Sequence, residues 1–304
     1  MSTAICLDEN YSTTRLVTQE KPAITKNPGA TFETVLFLPP GEGRQGEGGL
    51  RTKGYFKKSY DDKPLVSIIT VVFNGKKYLE ETIQSVINQT YDNVEYIIID
   101  GGSTDGTLDI IHKYEHAIDY WVSERDGGIY DAMNKGIDVV SGEWINFMNA
   151  GDGFYADDTL EKIFTINDYK NIDVIYGNHN IIYPHKTRIA KAGNIEDIWK
   201  GSQFCHQSSF IASNTHKANK FNPSNISADF EFFYTLFREK KVFRYVDVVV
   251  ANYSAGGVSD IKRVDSIVGR WNTIEKDDRK NLNYIWMILK EILKGWVKNI
   301  VGSK

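Results

Sequence analysis

Acidic and amide side chains recur where four successive apolar segments end. The first segment ends in Phe73-Asn74-Gly75 and the second in Asp100. The third runs into Ser123-Glu124-Arg125-Asp126, and the fourth into Asn149-Ala150-Gly151-Asp152. Ligands of open parallel sheets bind at the carboxyl ends of the strands. The four ends are therefore predicted to meet at one ligand site.

The glycine-rich loops that usually bind phosphate are missing from this chain. Only Asn74-Gly75 follows the first apolar segment, so the G-x-G-x-x-G loop of dinucleotide-binding folds is excluded. The glycines of Gly41–Gly49 lack both the Lys-Ser/Thr pair and the preceding buried strand of a P-loop. A phosphate ligand would then be neutralised by a metal held on carboxylates. Asp152 is the natural ligand, and Mg²⁺ or Mn²⁺ the natural ion, because both prefer hard oxygens.

The sequence predicts alternating strands and helices around these polar residues. Buried strands are predicted at the β-branched runs Leu65–Phe73 and Val94–Ile99, and further strands at Ile118–Val122 and Trp144–Met148. A helix is predicted over Ile129–Val140. Short strand–helix alternation indicates right-handed βαβ units. The predicted fold class is α/β, with a mainly parallel central sheet and flanking helices.

The alternation of strands and helices is less regular after residue 155. Six further elements are predicted there: a helix at Thr159–Phe164, strands at Val174–Tyr176, Asn180–Tyr183 and Ser208–Ala212, a helix at Asp229–Phe237 and a strand at Phe243–Ala251. One domain is predicted over residues 64–260, with a nucleotide-binding half at 64–152 and an acceptor half at 153–260. The loop Gly256–Ser259 is expected to close over the bound diphosphate.

Residues 1–63 are predicted to form an irregular extension. Val35–Leu38 is expected to be an edge strand, because prolines follow it at once. Four basic residues lie between Arg51 and Lys58 without an acid among them. This stretch is either a solvated loop or a contact for a phosphate of the acceptor.

Composition excludes several classes of protein. The 304 residues carry 36 Lys and Arg against 40 Asp and Glu, a net charge of −4, so no nucleic-acid partner is expected. Cys6 and Cys205 are far apart in the sequence and do not have the spacing of metal ligands.

The sequence contains no signal peptide pattern and no run of 18 apolar residues. The expected location is the cytoplasm. The oligomeric state stays open.

Four motifs in order carry a family resemblance. They are Thr70-Val71-Val72-Phe73-Asn74, Asp100-Gly101-Gly102-Ser103-Thr104-Asp105-Gly106-Thr107, Asp131-Ala132-Met133-Asn134-Lys135-Gly136 and Asn149-Ala150-Gly151-Asp152. With them the chain resembles family 2 glycosyltransferases of the GT-A fold over roughly residues 64–255. The resemblance implies inverting transfer of a hexosyl or N-acetylhexosaminyl group from a nucleotide-sugar, UDP-linked by family habit, with a divalent metal on the diphosphate.

The resemblance also implies roles for individual residues. Contacts to the donor nucleobase are implied for Thr70, Phe73, Asn74 and Asp100, and contacts to the donor sugar and ribose for Asp126, Asp131, Asn134 and Lys135. The chain departs from the family pattern at two places. Asn149 and Gly151 stand where acids are common, which leaves Asp152 as the metal carboxylate. Phe73 stands where a tyrosine is common and keeps a ring for stacking.

Inverting transfer needs a base that takes the proton of the acceptor hydroxyl. Asp229 in Ser227-Ala228-Asp229-Phe230-Glu231 matches the position of the family's base, although an aspartate there is also an ordinary helix cap. Glu231 is the reserve candidate. His206 and Gln207 fall on the acceptor side, where His206 either touches sugar or phosphate or fills a polar pocket.

The tail, residues 261–304, contains an amphipathic basic segment at 283–301. Apolar residues and two tryptophans, Trp286 and Trp296, recur at helical spacing, and lysines line another face. The segment either lies on an anionic membrane or packs on the domain or on a second subunit. A membrane position suits a lipid-linked glycan acceptor in bacterial surface polysaccharide synthesis, such as O-antigen. A nucleotide-sugar-binding pseudoenzyme and a sugar-phosphate nucleotidyltransferase remain as alternatives.

Overall fold

The computed structural model describes residues 4–22, 34–165, 169–257 and 261–301. Its strands are β1 (Gly46–Gly48), β2 (Val66–Val72), β3 (Val94–Asp100), β4 (Tyr120–Ser123), β5 (Trp144–Phe147), β6 (Gly153–Phe154), β7 (Val174–Tyr183), β8 (Lys186–Ala190), β9 (Ser209–Ala212) and β10 (Phe243–Ser254). Its α-helices are α1 (Leu79–Ile87), α2 (Thr107–Lys113), α3 (Ile129–Val139), α4 (Thr159–Phe164), α5 (Ser213–Ala218), α6 (Ala228–Arg238), α7 (Arg263–Thr273) and α8 (Asp278–Val301).

One mixed sheet runs through the described residues. Its order is β1-β4-β3-β2-β5-β9-β7-β10-β6, with β8 beside β7. The four strands β4, β3, β2 and β5 pair in parallel, as the β-branched sequence predicts. Their carboxyl ends therefore lie along one edge, which is where the polar strand ends meet.

Strand β2 separates two apolar layers. Ile69 and Val71 belong to the cluster that contains the inner face of α3, whereas Ile68 belongs to the cluster that contains the inner face of α1. Neighbouring side chains of a strand point to opposite faces, so a continuous apolar run is buried on both sides. The helices flank the sheet and fix the loops at its carboxyl edge.

Two predictions about strands are wrong. The strands expected at 174–176 and 180–183 form the single strand β7, because its pairing with β10 continues through the polar residues between them. Val35–Leu38 is a bent segment rather than an edge strand. Leu36 and Leu38 are buried, and the Leu38 N–H donates to the Tyr120 hydroxyl at 3.2 Å instead of to a strand.

The prediction that Arg51–Lys58 is a solvated or phosphate-binding basic stretch is wrong for two of its four cations. Arg51 is 3% exposed and Lys57 is 2% exposed. Arg51 pairs with buried Glu95 at 2.5 Å and donates to the carbonyl oxygens of Leu36 (3.0 Å) and Val139 (2.7 Å). Buried polar contacts therefore hold the N-terminal segment on the domain.

The C-terminal helix α8 has one packed face and one free face. It begins at Asp278, earlier than the predicted segment 283–301. Tyr284 is fully buried and stacks on Trp271 of α7 with ring centroids 6.4 Å apart. The exposed apolar side chains on its other face are Leu282, Ile285, Trp286, Leu289, Ile292, Leu293 and Trp296. The expected packing on the domain is thus seen for one face of the helix, and the expected membrane position of the other face stays a prediction.

Candidate functional site

A cleft of about 910 Å³ opens at the carboxyl edge of the parallel strands. Its walls come from the loops after β2, β3 and β4 and from the N-terminal segment. Its lining residues include Phe73, Gly101, Gly102, Arg125 and Asp126 from the domain, and Glu42, Gly43 and Gln45 from the segment. Three of the four predicted strand ends thus line this cleft, and the lining does not include the fourth, Asn149–Asp152.

The Phe73 ring forms an open platform in the cleft. It is 66% exposed, although it directly follows a fully buried strand. A Cβ on Gly101 would lie 3.4 Å from this ring and 2.6 Å from Asp126 Oδ2, so the glycine lets the carboxylate come close. Partial burial raises the pKa of the Asp126 carboxyl above its ordinary value. The ring and the carboxyl group provide a stacking surface beside a polar group.

Asn74 joins two loops of the cleft. Its backbone lies in the left-handed region, with φ of 50°, which asparagine tolerates better than most residues. Its N–H donates to Ser103 Oγ at 2.7 Å, and its Oδ1 accepts from the Thr104 N–H at 3.0 Å. Asn74 therefore fixes the loop after β2 against the loop after β3.

Thr70 and Asp100, which the family resemblance assigns to the nucleobase, are both fully buried. The Thr70 hydroxyl donates to the Met148 carbonyl oxygen at 2.7 Å. Asp100 Oδ2 accepts from the Ser103 N–H at 2.9 Å and from the Ser123 hydroxyl at 2.6 Å. Asp100 therefore stabilises the turn at Gly101 and Gly102 from its buried side and does not face the cleft.

The three predicted donor-sugar residues of α3 also have protein partners. Asp131 Oδ2 accepts from the Gly127 N–H at 2.9 Å. Lys135 donates to Glu124 Oε1 at 2.8 Å. The Asn134 side chain exchanges two hydrogen bonds with the backbone of Phe221, at 2.8 and 3.0 Å. These contacts fix the start of α3 and the loop before α6 relative to each other.

The fourth strand end is tied to the acceptor half of the domain. Asp152 Oδ2 accepts from Gln207 Nε2 at 2.6 Å, and its Oδ1 accepts from the Ser254 N–H at 3.0 Å. Burial raises the pKa of the Asp152 carboxyl, and these hydrogen bonds oppose the shift. Asn149 Nδ2 lies 3.1 Å from His206 Nε2, and Asn149 Oδ1 is buried without a hydrogen-bond partner.

Asp229 lies at the start of α6. It is connected to Asn149 through His206, which contacts both residues. His206 Nδ1 is 3.5 Å from Asp229 Oδ2, while Oδ1 accepts from the Phe230 N–H at 2.8 Å and from the Tyr130 hydroxyl at 3.2 Å. Burial alone would raise the pKa of Asp229, but the groups around it hold that pKa below its ordinary value. The carboxyl group is therefore ionised at neutral pH, and its side chain is 31% exposed.

Glu231, the reserve candidate for the base, lies two residues further along α6. Its Oε2 accepts from Asn225 Nδ2 at 2.9 Å. This contact stabilises the turn that precedes the helix. Asp229 is the carboxylate of the two that also contacts α3 and His206, so it is the stronger candidate.

Sequence reasoning missed two contributions to the site. Tyr130 contacts Asp229 across 99 positions of sequence, and no motif singles it out. Glu42, Gly43 and Gln45 lie in a segment that was expected to be irregular. Local patterns carry no signal for either contribution, since both depend on which distant segment packs beside them.

The chain matches the sequence profile described as "Glycosyl transferase family 2" over residues 67–244. The chain belongs to glycosyl transferase family 2. A relative from Mycobacterium bovis, described as "PGL/p-HBAD biosynthesis glycosyltransferase", is 32% identical over 209 residues, which cover 65% of this chain and 80% of the relative. The expected family and the GT-A fold class are thereby confirmed.

Solved structures share the fold of this family 2 glycosyltransferase. Staphylococcus aureus TarS (residues 1–349) in complex with UDP-GlcNAc is 17% identical, with a TM-score of 0.55 over 72% of this chain and 70% of that one. The mannosyltransferase PcManGT from Pyrobaculum calidifontis, in complex with GDP-Man and Mn²⁺, is 16% identical, with a TM-score of 0.55 over 72% and 67% of the two chains.

Among the described side chains, no group of three or more His, Cys, Asp or Glu is arranged to hold a metal ion. Within the same part of the chain, no helix combines the length and apolar character needed to cross a bilayer. Of the loop Gly256–Ser259, the last two residues lie outside the described residues.

Proposed function

We propose that the protein is an inverting glycosyltransferase that moves a hexosyl or N-acetylhexosaminyl group from a UDP-sugar to a hydroxyl of a lipid-linked glycan in bacterial surface polysaccharide synthesis. The observation that carries the proposal is the position of the Asp229 carboxylate at the start of α6. The carboxylate contacts Tyr130, a residue in the first turn of α3. It also contacts His206, and His206 contacts Asn149 just after β5.

In the proposed reaction, Asp229 takes the proton of the acceptor hydroxyl. The oxygen of that hydroxyl forms a bond to the anomeric carbon, and the bond from this carbon to the donor phosphate breaks. The electron pair of the broken bond goes to the phosphate oxygen of UDP, which leaves. Because the base and the diphosphate lie on opposite faces of the sugar, the anomeric configuration inverts. A carboxylate must be unprotonated for this step, which agrees with the lowered pKa of Asp229.

The donor lies in the cleft in this proposal. The uracil ring stacks on the exposed Phe73 ring, since aromatic faces are good platforms for a base. Asn74 and Asp100 shape the turn beneath it, and Asp126, Asp131 and Lys135 lie at the edge where the ribose and sugar would bind. The solved complexes of TarS with UDP-GlcNAc and of PcManGT with GDP-Man support a nucleotide-sugar donor.

The residues present suit a divalent ion that the nucleotide helps to bind. Asp152 offers a carboxylate, and Asn149 Oδ1 is a buried oxygen without a partner on the same turn. These two residues would hold Mn²⁺ or Mg²⁺, with the diphosphate and water supplying further oxygens. The ion would neutralise the negative charge that develops on the departing diphosphate. The Mn²⁺ in the PcManGT complex supports this part of the proposal.

Placing the enzyme at the cytoplasmic face of a membrane accounts for the free face of α8. Its exposed tryptophans and leucines are accompanied by Lys290 and Lys294, which suits an anionic bilayer surface. A lipid-linked acceptor is delivered at such a surface. The acceptor would then reach the carboxylate of Asp229 from the side of His206 and Gln207.

The decisive experiment compares transfer with donor binding in Asp229→Asn. The amide keeps the shape of the side chain but cannot take a proton, so the transfer rate is expected to fall by about 10²- to 10⁴-fold while UDP-sugar affinity stays within twofold of the wild type. Asp265→Asn, an exposed aspartate in the first turn of α7, is the matched control and is expected to keep the full rate.

Several outcomes would count against parts of the proposal. A near-normal rate in Asp229→Asn would remove Asp229 as the base. A wild-type protein that binds the donor but transfers to no acceptor would favour the pseudoenzyme. The same assays with added Mn²⁺ and with a chelator test the ion. Wild-type donor affinity is expected to rise with Mn²⁺, and Asp152→Ala is expected to lose this response.

A further inference from the structure

The N-terminal segment forms one wall of the donor cleft. Glu42, Gly43 and Gln45 line it together with the loops that follow β2, β3 and β4. These three residues precede the family match, which begins at residue 67. A surface of the cleft is therefore built by a part of the chain that the family profile does not include.

This wall is fixed in place by a dense set of polar contacts. Arg44 donates to Glu124 Oε2 through Nε at 2.9 Å and through Nη2 at 2.7 Å. It also donates to the carbonyl oxygens of Leu38 (3.2 Å) and Pro39 (2.7 Å). Two charge-assisted hydrogen bonds that converge on one carboxylate oxygen restrict the direction of the guanidinium as well as its position. The segment is thereby clamped to the strand end that carries Arg125 and Asp126.

The backbone of the wall continues as a strand of the sheet. The Gln45 N–H donates to the Ser123 carbonyl oxygen at 2.8 Å, and Gly46 to Gly48 then pair with β4. Gly41 packs against the Glu124 carboxylate so closely that a Cβ would collide with it. The position of Gln45 is therefore set by contacts on both sides of it, while its side chain remains exposed to the cleft.

Gln45 and Phe73 flank the same glycine pair. Gln45 Nε2 lies 3.6 Å from the place that a Cβ would take on Gly102, and the Phe73 ring lies 3.4 Å from the corresponding place on Gly101. Consecutive Cα atoms are about 3.8 Å apart. A planar ring stacked on Phe73 would therefore lie near the amide group of Gln45, within the reach of its edge.

We propose that Gln45 contacts the edge of the donor's nucleobase and contributes to base selection. The inference rests on the proposed nucleotide-sugar donor. A primary amide offers one acceptor and two donors. Its Oε1 can accept from N3–H of uracil while its Nε2 donates to the neighbouring O4, a pairing that positions the base and not the phosphates.

The test measures UDP binding by calorimetry in the presence of Mn²⁺. Gln45→Ala is expected to weaken UDP binding about threefold to tenfold, the effect of losing one or two uncharged hydrogen bonds. Gln45→Glu is expected to weaken it further, because a carboxylate oxygen would face O4. Gln19→Ala replaces an exposed glutamine of the same segment and is expected to bind UDP as the wild type does.

Inorganic diphosphate serves as the ligand without a base. Its affinity, measured by competition, is expected to be the same in the wild type and Gln45→Ala. Equal loss of UDP and diphosphate affinity would overturn the base contact, and so would a Gln45→Ala protein that binds UDP like Gln19→Ala. A wild-type protein that binds no nucleoside diphosphate would instead overturn the proposed donor itself.

Discussion

At the scale of single residues, the environment of Asp229 combines opposing effects on its pKa. Burial favours the neutral acid, whereas His206, the Phe230 N–H and the Tyr130 hydroxyl favour the carboxylate and prevail. Each of these groups comes from a different position in the sequence. The carboxylate is therefore both ionised and held in one orientation before an acceptor arrives.

Replacing Tyr130 by Phe is expected to lower kcat about threefold to tenfold. The change removes the hydroxyl that donates to Asp229 Oδ1 at 3.2 Å, so the carboxylate loses one of the contacts that orient it. Steady-state kinetics should show a fall in kcat with the KM for the donor unchanged, because the hydroxyl faces Asp229 rather than the cleft.

Tyr91→Phe is the matched control for Tyr130→Phe. The Tyr91 hydroxyl donates to the Pro64 carbonyl oxygen at 2.7 Å, just before the amino end of β2 and therefore at the opposite edge of the sheet. This variant is expected to lose stability while keeping kcat. If both variants lowered kcat equally, the contact of Tyr130 with Asp229 would have no specific role in the reaction.

Sequence patterns locate a residue when its role depends on its immediate neighbours in the chain. They miss a residue when its role depends on contacts with distant segments. Asp229 was found because a turn followed by an acidic helix start is visible within a few residues. The type of residue at Asp100 was equally visible, but its inward direction depends on Ser123, which belongs to another strand. Gln45 has no periodic neighbours, and its position depends on Glu124 through Arg44.

At the scale of elements, α5 contributes an uncharged histidine to the aromatic core. The ring of His216 stacks on Phe232 at 4.3 Å between centroids and meets Phe147 and Phe221 edge-on. Its Nδ1 lies 3.2 Å from the Asn219 carbonyl oxygen, and its Nε2 is buried without a partner. Burial lowers the pKa of His216 to about 4.

Acid is therefore expected to destabilise the protein partly through His216. The unfolded chain binds the proton at its ordinary pKa of 6.5, and the folded chain binds it only near 4. Stability is thus full above pH 6.5 and is lost as the pH falls toward 4. At pH 5 the loss amounts to about 2 kcal/mol.

His216→Phe isolates this contribution. Phenylalanine keeps a flat ring beside Phe232 but does not titrate. Urea unfolding at pH 7 and pH 5 should show a smaller acid-induced fall in the free energy of unfolding for His216→Phe than for the wild type. Identical falls in the two proteins would mean that His216 is not the group that takes up the proton.

At the scale of the whole molecule, the free face of α8 is expected to bind membranes. Lys290 Nζ lies 4.8 Å from the centroid of the Trp286 ring, so positive charge and aromatic surface occur together. Co-sedimentation should show stronger binding to vesicles that contain anionic lipid than to neutral vesicles, and salt should reduce the difference.

The double variant Trp286→Ser/Leu293→Ser is expected to weaken vesicle binding by about tenfold or more, since it removes two large exposed apolar side chains. The matched control is Ile189→Ser in β8, which changes an exposed apolar residue outside the helix. Unchanged binding of the double variant would show that α8 does not contact the bilayer.

The long-range contacts of Arg44 and Arg51 also have a consequence for the order of folding. Arg44 reaches Glu124 across 80 positions, and Arg51 reaches Val139 across 88. A ribosome releases the N-terminal segment first, long before these partners emerge. Because closing such long loops costs chain entropy before the contacts form, we expect this wall of the cleft to be completed late in folding. Nucleotide binding by a nascent chain would report that step.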